Sequence, residues 1–138
     1  MVGLVIVSHS SKIAEGVKEI SAEMAGEELK IVAAGGMSDG TIGTDASRIG
    51  DAIREADSGD GVVVLADLGS AILSTDMALE LLAADWKDRV RIADAPIVEG
   101  AIGAAISAST GSPIDEVVEG AESSRDLRKL KGKGGAVI

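Results

Sequence analysis

His9 is the single histidine of the sequence, and it lies in "VSHSS" (7–11), where an apolar run gives way to a polar one. An imidazole has an ordinary pKa of ~6.5, so near neutral pH much of it is an uncharged nucleophile that needs no separate base. Such a nucleophile still needs a fixed tautomer. A carboxylate that accepts the hydrogen of one ring nitrogen fixes it and leaves the lone pair of the other nitrogen pointing outward. It also stabilises the cation that forms when phosphorus is attacked. Asp67, in "ADLGS" (66–70), follows another apolar run and is the candidate for that duty. Ser8, Ser10 and Ser11 add hydroxyl donors, and Gly69 and Ser70 stand just beyond the aspartate. On residue type alone His9 reads as a surface or structural residue and Asp67 as a helix cap. Their place at strand ends argues for chemistry.

A third candidate is the polar stretch "GGMSDGTIGTD" (35–45). Its four glycines permit close approach, and consecutive amides can form an anion nest, which makes Gly36, Thr41 and Gly43 candidate phosphate or partner contacts with Ser10, Gly69 and Ser70. The same composition suits a turn-rich connection, and both readings stay open. Neither the Gly-Lys-Ser/Thr nucleotide loop nor the dinucleotide glycine fingerprint occurs. "KLKGKGG" (129–135) reads as solvated tail. No directly bound cofactor is therefore expected. Phosphoryl transfer rests mainly on alignment and on neutralising the equatorial oxygens, and amides at the start of the first helix can supply part of that.

Other chemistries are excluded by composition. The absence of cysteine removes disulfides and thiolate metal sites, and one histidine rules out multi-histidine sites, leaving only a carboxylate site for Mg²⁺ open. A net charge of -10 opposes nucleic acid or an anionic membrane as partner and suits a basic protein surface; the same acidity equally suits solubility alone or a salt-rich cytoplasm, and both readings stay open. The opening "MVGLVIVSHSS" lacks a basic leader and turns polar at once, so it reads as a strand and not a signal peptide. No run approaches the ~20 apolar residues a membrane helix needs, and a soluble cytoplasmic protein is expected.

The elements that must position these residues alternate between short apolar runs and helix-period segments, the pattern of parallel strands joined by crossover helices. The runs are 2–7, 29–34, 61–66 and 90–93. Their Val and Ile content suits strands buried on both faces. Ile13, Val17, Ile20 and Met24 recur at spacings of four, three and four on one helix face, and Gly26 stops that helix. Ile49 and Ile53 mark a second helix capped by Thr44 or Asp45. Gly69 or Ser70 opens a third, whose expected inward face is Leu73, Met77 and Leu81. The segment 97–108 is a small-sided helix, and "SPIDE" (112–116) supplies a cap serine, a first-turn proline and two early acids for another. The expected fold is a single α/β domain over 1–122, an open and mainly parallel sheet of order 2-1-3-4 with helices on both faces. Residues 123–138 follow as a tail, ordered only if docked. In such a sheet ligands bind beyond the carboxyl ends of the strands where connections diverge, and if the strand order is 2-1-3, His9 and Asp67 flank one crevice.

Taken together, "VGLVIVSHS", "GGMSDGTIGTD" and "VLADLGSA" resemble the phosphotransferase subunits of bacterial-type dihydroxyacetone kinases. These share the mannose-type enzyme IIA fold of the phosphoenolpyruvate phosphotransferase system. The resemblance spans nearly the whole chain. It implies that His9 is the phosphohistidine and Asp67 the aspartate beside it, that phospho-HPr is the donor, and that the acceptor is ADP on the nucleotide-binding subunit DhaL. Mg²⁺ and ADP would then reside on that partner, DhaK would act in the same system, and the chain would be a homodimer. Some members carry HPr-like and enzyme-I-like domains; the sequence stops before either, so its donors are expected in trans. A mannose-type sugar transporter subunit shares the fold and the histidine, but usually has a Gly-Gly-Ser-Pro-like stretch where this chain has "DLGSA". A tetrapyrrole metal chelatase also starts with strand, histidine and serine, yet usually wants a second histidine. A non-catalytic α/β interaction module is the remaining alternative.

Overall fold

Four apolar segments form one parallel sheet because each is short, rich in Val and Ile, and covered on both faces. In the computed structural model, which describes residues 1–130, the strands are β1 (Gly3–Ser8), β2 (Ile31–Gly35), β3 (Val62–Ala66) and β4 (Val90–Ile92), in the order β2-β1-β3-β4. The expected strand order, sheet type and helix layers are all present. β1 pairs in parallel with β2 and β3, and β3 with β4. Residues 131–138, with most of "KLKGKGG" and the final "AVI", lie outside the described residues.

The helices are α1 (Ser11–Ala25), α2 (Ala46–Ala56), α3 (Gly69–Leu81), α4 (Ile97–Ser109) and α5 (Ile114–Glu122). Strand side chains alternate between two cores, as the period of two requires. Leu4, Ile6, Val63 and Leu65 pack with α1, α4 and α5, while Val5, Val7, Val62 and Val64 pack with α2 and α3. β1 and β3 are thus buried on both sides. Among the described residues, no helix is long and apolar enough to cross a membrane.

Local signals set most boundaries. Gly26 ends α1 at φ 88°, and Asp45, one of the two expected caps, accepts from the amides of Ser47 and Arg48. α5 departs from expectation: Pro113 is its N-cap residue, while Ser112 faces Thr110 and caps nothing. Ser123–Asp126 continues from α5 as a 3-10 turn with Ser124 buried.

Two helix faces correct the sequence reading. α3 buries Ala71, Thr75 and Ala78, whereas Leu73, Met77 and Leu81, expected inward, are exposed. Of the α1 stripe only Val17 is buried, beside Ala14 and Ser21, while Ile13, Ile20 and Met24 are about half exposed. The reason is the spacing between layers. Small side chains let a helix backbone lie close on the sheet, and larger neighbours are then turned outward.

Candidate active site

β1 delivers His9 to the carboxyl edge of the sheet, between the ends of β2 and β3. Ser8 is level with Gly35 and Val7 with Ala66 in the strand registers, so the residues just beyond β1 and β3 face each other. α1 leaves β1 toward one layer and α3 leaves β3 toward the other, which makes this edge the point where connections diverge. Helix α1 starts close against it: a Cβ on Gly35 would lie 2.6 Å from the Ser10 carbonyl oxygen, so only glycine lets β2 end there.

Asp67 gathers the site. Its Oδ2 accepts from the Ser8 hydroxyl at 2.8 Å and from the His9 amide at 3.0 Å, and its Oδ1 lies 3.0 Å from His9 Nδ1. Burial pushes this carboxyl up, but the bonds from the His9 amide, the His9 ring and the Ser8 hydroxyl outweigh it, aided by charge on the imidazole, and hold Asp67 below the usual carboxylate range. An ionised carboxylate only accepts, so Nδ1 carries the hydrogen, and in the neutral imidazole Nε2 keeps its lone pair. That lone pair meets the Ser70 hydroxyl at 2.6 Å, with the serine as donor. The side chains of His9 and Asp67 are 22% and 14% exposed, and of the two ring contacts the one at Nε2 is the exposed one. Asp67 does not cap α3; the N-cap residue is Leu68, which has no side-chain capping bond.

The other candidates have definite places. Ser10 is the N-cap of α1, with Oγ accepting from the Ile13 amide at 3.3 Å. The amides of Gly36 and Gly43 donate to the carbonyls of Ser8 at 3.1 Å and His9 at 2.9 Å, so these two glycines hold the backbone of the reactive segment. Thr41 turns into its own loop, donating from hydroxyl and amide to Asp39 Oδ1. Gly69 begins α3, with open space where a Cβ would stand, and Ser70 is at Nε2. His9, Asp67, Gly36, Gly43, Gly69 and Ser70 therefore converge, while the Thr41 side chain is engaged within its own loop. Sequence reasoning missed Arg48, which donates to the Gly35 carbonyl at 3.2 Å at the root of the loop, and the pair Thr44 and Ser74, whose hydroxyls lie 2.6 Å apart. No motif marks any of the three.

The family model described as EIIA-man, PTS system fructose IIA component, matches residues 3–118. The chain belongs to the EIIA-man family. It is 46% identical over 121 residues to the phosphoryl donor subunit DhaM of the phosphoenolpyruvate-dependent dihydroxyacetone kinase of Escherichia coli (strain K12), covering 86% of this chain and 26% of that one. To the DhaM of kinase 2 of Listeria innocua it is 44% identical over 118 residues, covering 86% of this chain and 94% of the relative. The resemblance read from three segments is thus borne out along most of the sequence. The chain spans about a quarter of the Escherichia coli and Providencia stuartii relatives, at 26% of each. Among solved structures, a protein of unknown function matches at TM-score 0.80 and 38% identity, covering 90% of this chain and 96% of that one. The phosphotransferase system component EIIA from Streptococcus agalactiae matches at TM-score 0.65 and 17% identity, over 90% of this chain and 92% of that one, which shows the EIIA-man fold.

Proposed function

We propose that this EIIA-man chain is the phosphohistidine carrier of a dihydroxyacetone kinase, accepting phosphate from phospho-HPr on His9 and passing it to ADP held with Mg²⁺ on DhaL. DhaK would then use the regenerated ATP on dihydroxyacetone. One observation carries the reading: Asp67 and Ser70 engage the two different nitrogens of the His9 ring, the carboxylate at Nδ1 and the hydroxyl at Nε2. The DhaM relatives support the choice of system.

The step balances simply. The Nε2 lone pair forms the N–P bond as the donor's N–P bond breaks, and the donor imidazole keeps the electron pair. Asp67 stabilises the positive ring that results, and the Ser70 hydroxyl turns from the lone pair to a phosphoryl oxygen. Gly69 and Ser70 place the first amides of α3 on the same side, where partial positive charge favours the group. Transfer onward needs no base on this chain, because phosphohistidine is itself the high-energy donor. A cytoplasmic homodimer belongs to the same reading. The large apolar side chains uncovered on α3 support pairing of copies, and sedimentation tests it.

A single-turnover transfer with labelled phosphate tests the assignment. The phosphorylated protein should keep its label in free ADP and Mg²⁺ and lose it rapidly to ADP-loaded DhaL, giving labelled ATP. Label arriving instead on a mannose-type enzyme IIB would overturn the kinase role and leave His9 as carrier.

A further inference from the structure

The hydroxyls of Thr44 and Ser74 meet at 2.6 Å in a part-buried contact that joins two segments thirty residues apart in sequence. Both ends of that contact lead back to His9. Ser74 is one helical turn beyond Ser70 on α3, so the two serines share a face, and Ser70 Oγ is 2.6 Å from His9 Nε2. Thr44 directly follows Gly43, whose amide donates to the His9 carbonyl at 2.9 Å. The circuit runs from the His9 ring to Ser70, along one turn to Ser74, across to Thr44, and through Gly43 to the His9 backbone. It closes on one residue.

We propose that Thr44 and Ser74 are positioning residues that fix α3 against the glycine loop and so hold the Ser70 hydroxyl on the Nε2 lone pair. The start of α3 needs such a brace. Its N-cap, Leu68, makes no side-chain capping bond, so the turn that carries Ser70 lacks the usual anchor for a helix end. The Thr44–Ser74 bond supplies one a turn further in. The loop in turn is tied to β1 by Gly36 and Gly43 and at its root by Arg48. A shift of α3 against the loop would move Ser70 relative to Nε2, while Gly36 and Gly43 keep the backbone of His9 in place. Small misplacements of this kind are costly in group transfer.

The inference rests on the carrier reading for its kinetics, and the unphosphorylated ring gives it an independent readout. Thr44→Val removes the hydroxyl and keeps the shape, and Thr44→Ser restores the hydroxyl. With a protein donor, Thr44→Val and Ser74→Ala should each lower the single-turnover rate about tenfold at unchanged KM, and Thr44→Ser should recover most of it. Because the pair acts through Ser70, adding Thr44→Val to Ser70→Ala should cost nothing more than Ser70→Ala itself. The ¹⁵N resonance of Nε2 in the unphosphorylated protein should move toward that of a free lone pair in Thr44→Val, as in Ser70→Ala. A merely structural bond would lower the melting temperature and leave that resonance unchanged. Wild-type rates and resonance in Thr44→Val, or losses that multiply with Ser70→Ala, would overturn the inference. If the wild-type protein took no phosphate at all, the carrier reading would fail, while the resonance would still decide whether Thr44 positions Ser70.

Discussion

At the scale of the residue, Asp67 receives three hydrogen bonds from two neighbours, and they decide both its charge and the tautomer of His9. Asp67→Asn keeps the shape but presents an amide that can donate as well as accept, so the proton on Nδ1 is no longer enforced. Loss of the orienting carboxylate should slow phosphoryl transfer about a hundredfold or more in a folded protein, measured by single-turnover kinetics. A full rate would leave Asp67 a structural residue. The carboxyl also has a pH signature. Its folded pKa lies below the ordinary value, so its contribution to stability is present above the unfolded pKa of ~3.9 and is lost as pH falls through the folded one. The stability gap between wild type and Asp67→Asn, followed by urea unfolding, should therefore shrink as pH falls into the acid range. His9 and Asp67 were legible because each ends a run of buried residues. Thr44 and Ser74 were not, since two hydroxyls at ordinary spacing carry no signal until the fold joins them.

Elements were legible where burial is two-sided. β1 and β3 read as strands because every position is apolar or small and buried, so no choice of face had to be made. α3 is the opposite case. Its apolar residues are spread over every side of the helix, and its period cannot say which side meets the sheet; Ala71, Thr75 and Ala78 win because they allow close contact, and Leu73, Met77 and Leu81 are left outside. On α1 the same rule buries Ser21, whose hydroxyl has no partner among the described residues. An unsatisfied buried hydroxyl costs about 1–3 kcal/mol, so Ser21→Ala should raise stability by about 1 kcal/mol in urea unfolding, and a loss would mean that the hydroxyl is paired. The contact of α4 with α5 depends on the same economy of size. A Cβ on Gly103 would stand 2.2 Å from the Gly120 carbonyl oxygen, so Gly103→Ala should push the helices apart and cost about 1–3 kcal/mol. An unchanged melting temperature would contradict that packing.

At the scale of the molecule, alternating segments pointed to a parallel sheet but left its strand order open, and the order β2-β1-β3-β4 places the reactive edge where two layers of connections part. The net charge of -10 bears on encounter and not on fold. Association with a basic donor protein should weaken as salt rises, mainly through the on-rate, and a salt-independent rate would remove charge from the account. The central claim is narrower: a carrier built around one imidazole, with Nδ1 held and Nε2 offered. It is tested most directly by incubating the protein with phosphoenolpyruvate, enzyme I and HPr, then counting acid-labile phosphate and locating it by ¹⁵N and ³¹P resonance. One phosphate per chain, stable in alkali and bonded to Nε2 of His9, is the predicted result. Equal labelling of His9→Ala, or phosphate on Nδ1, would contradict it.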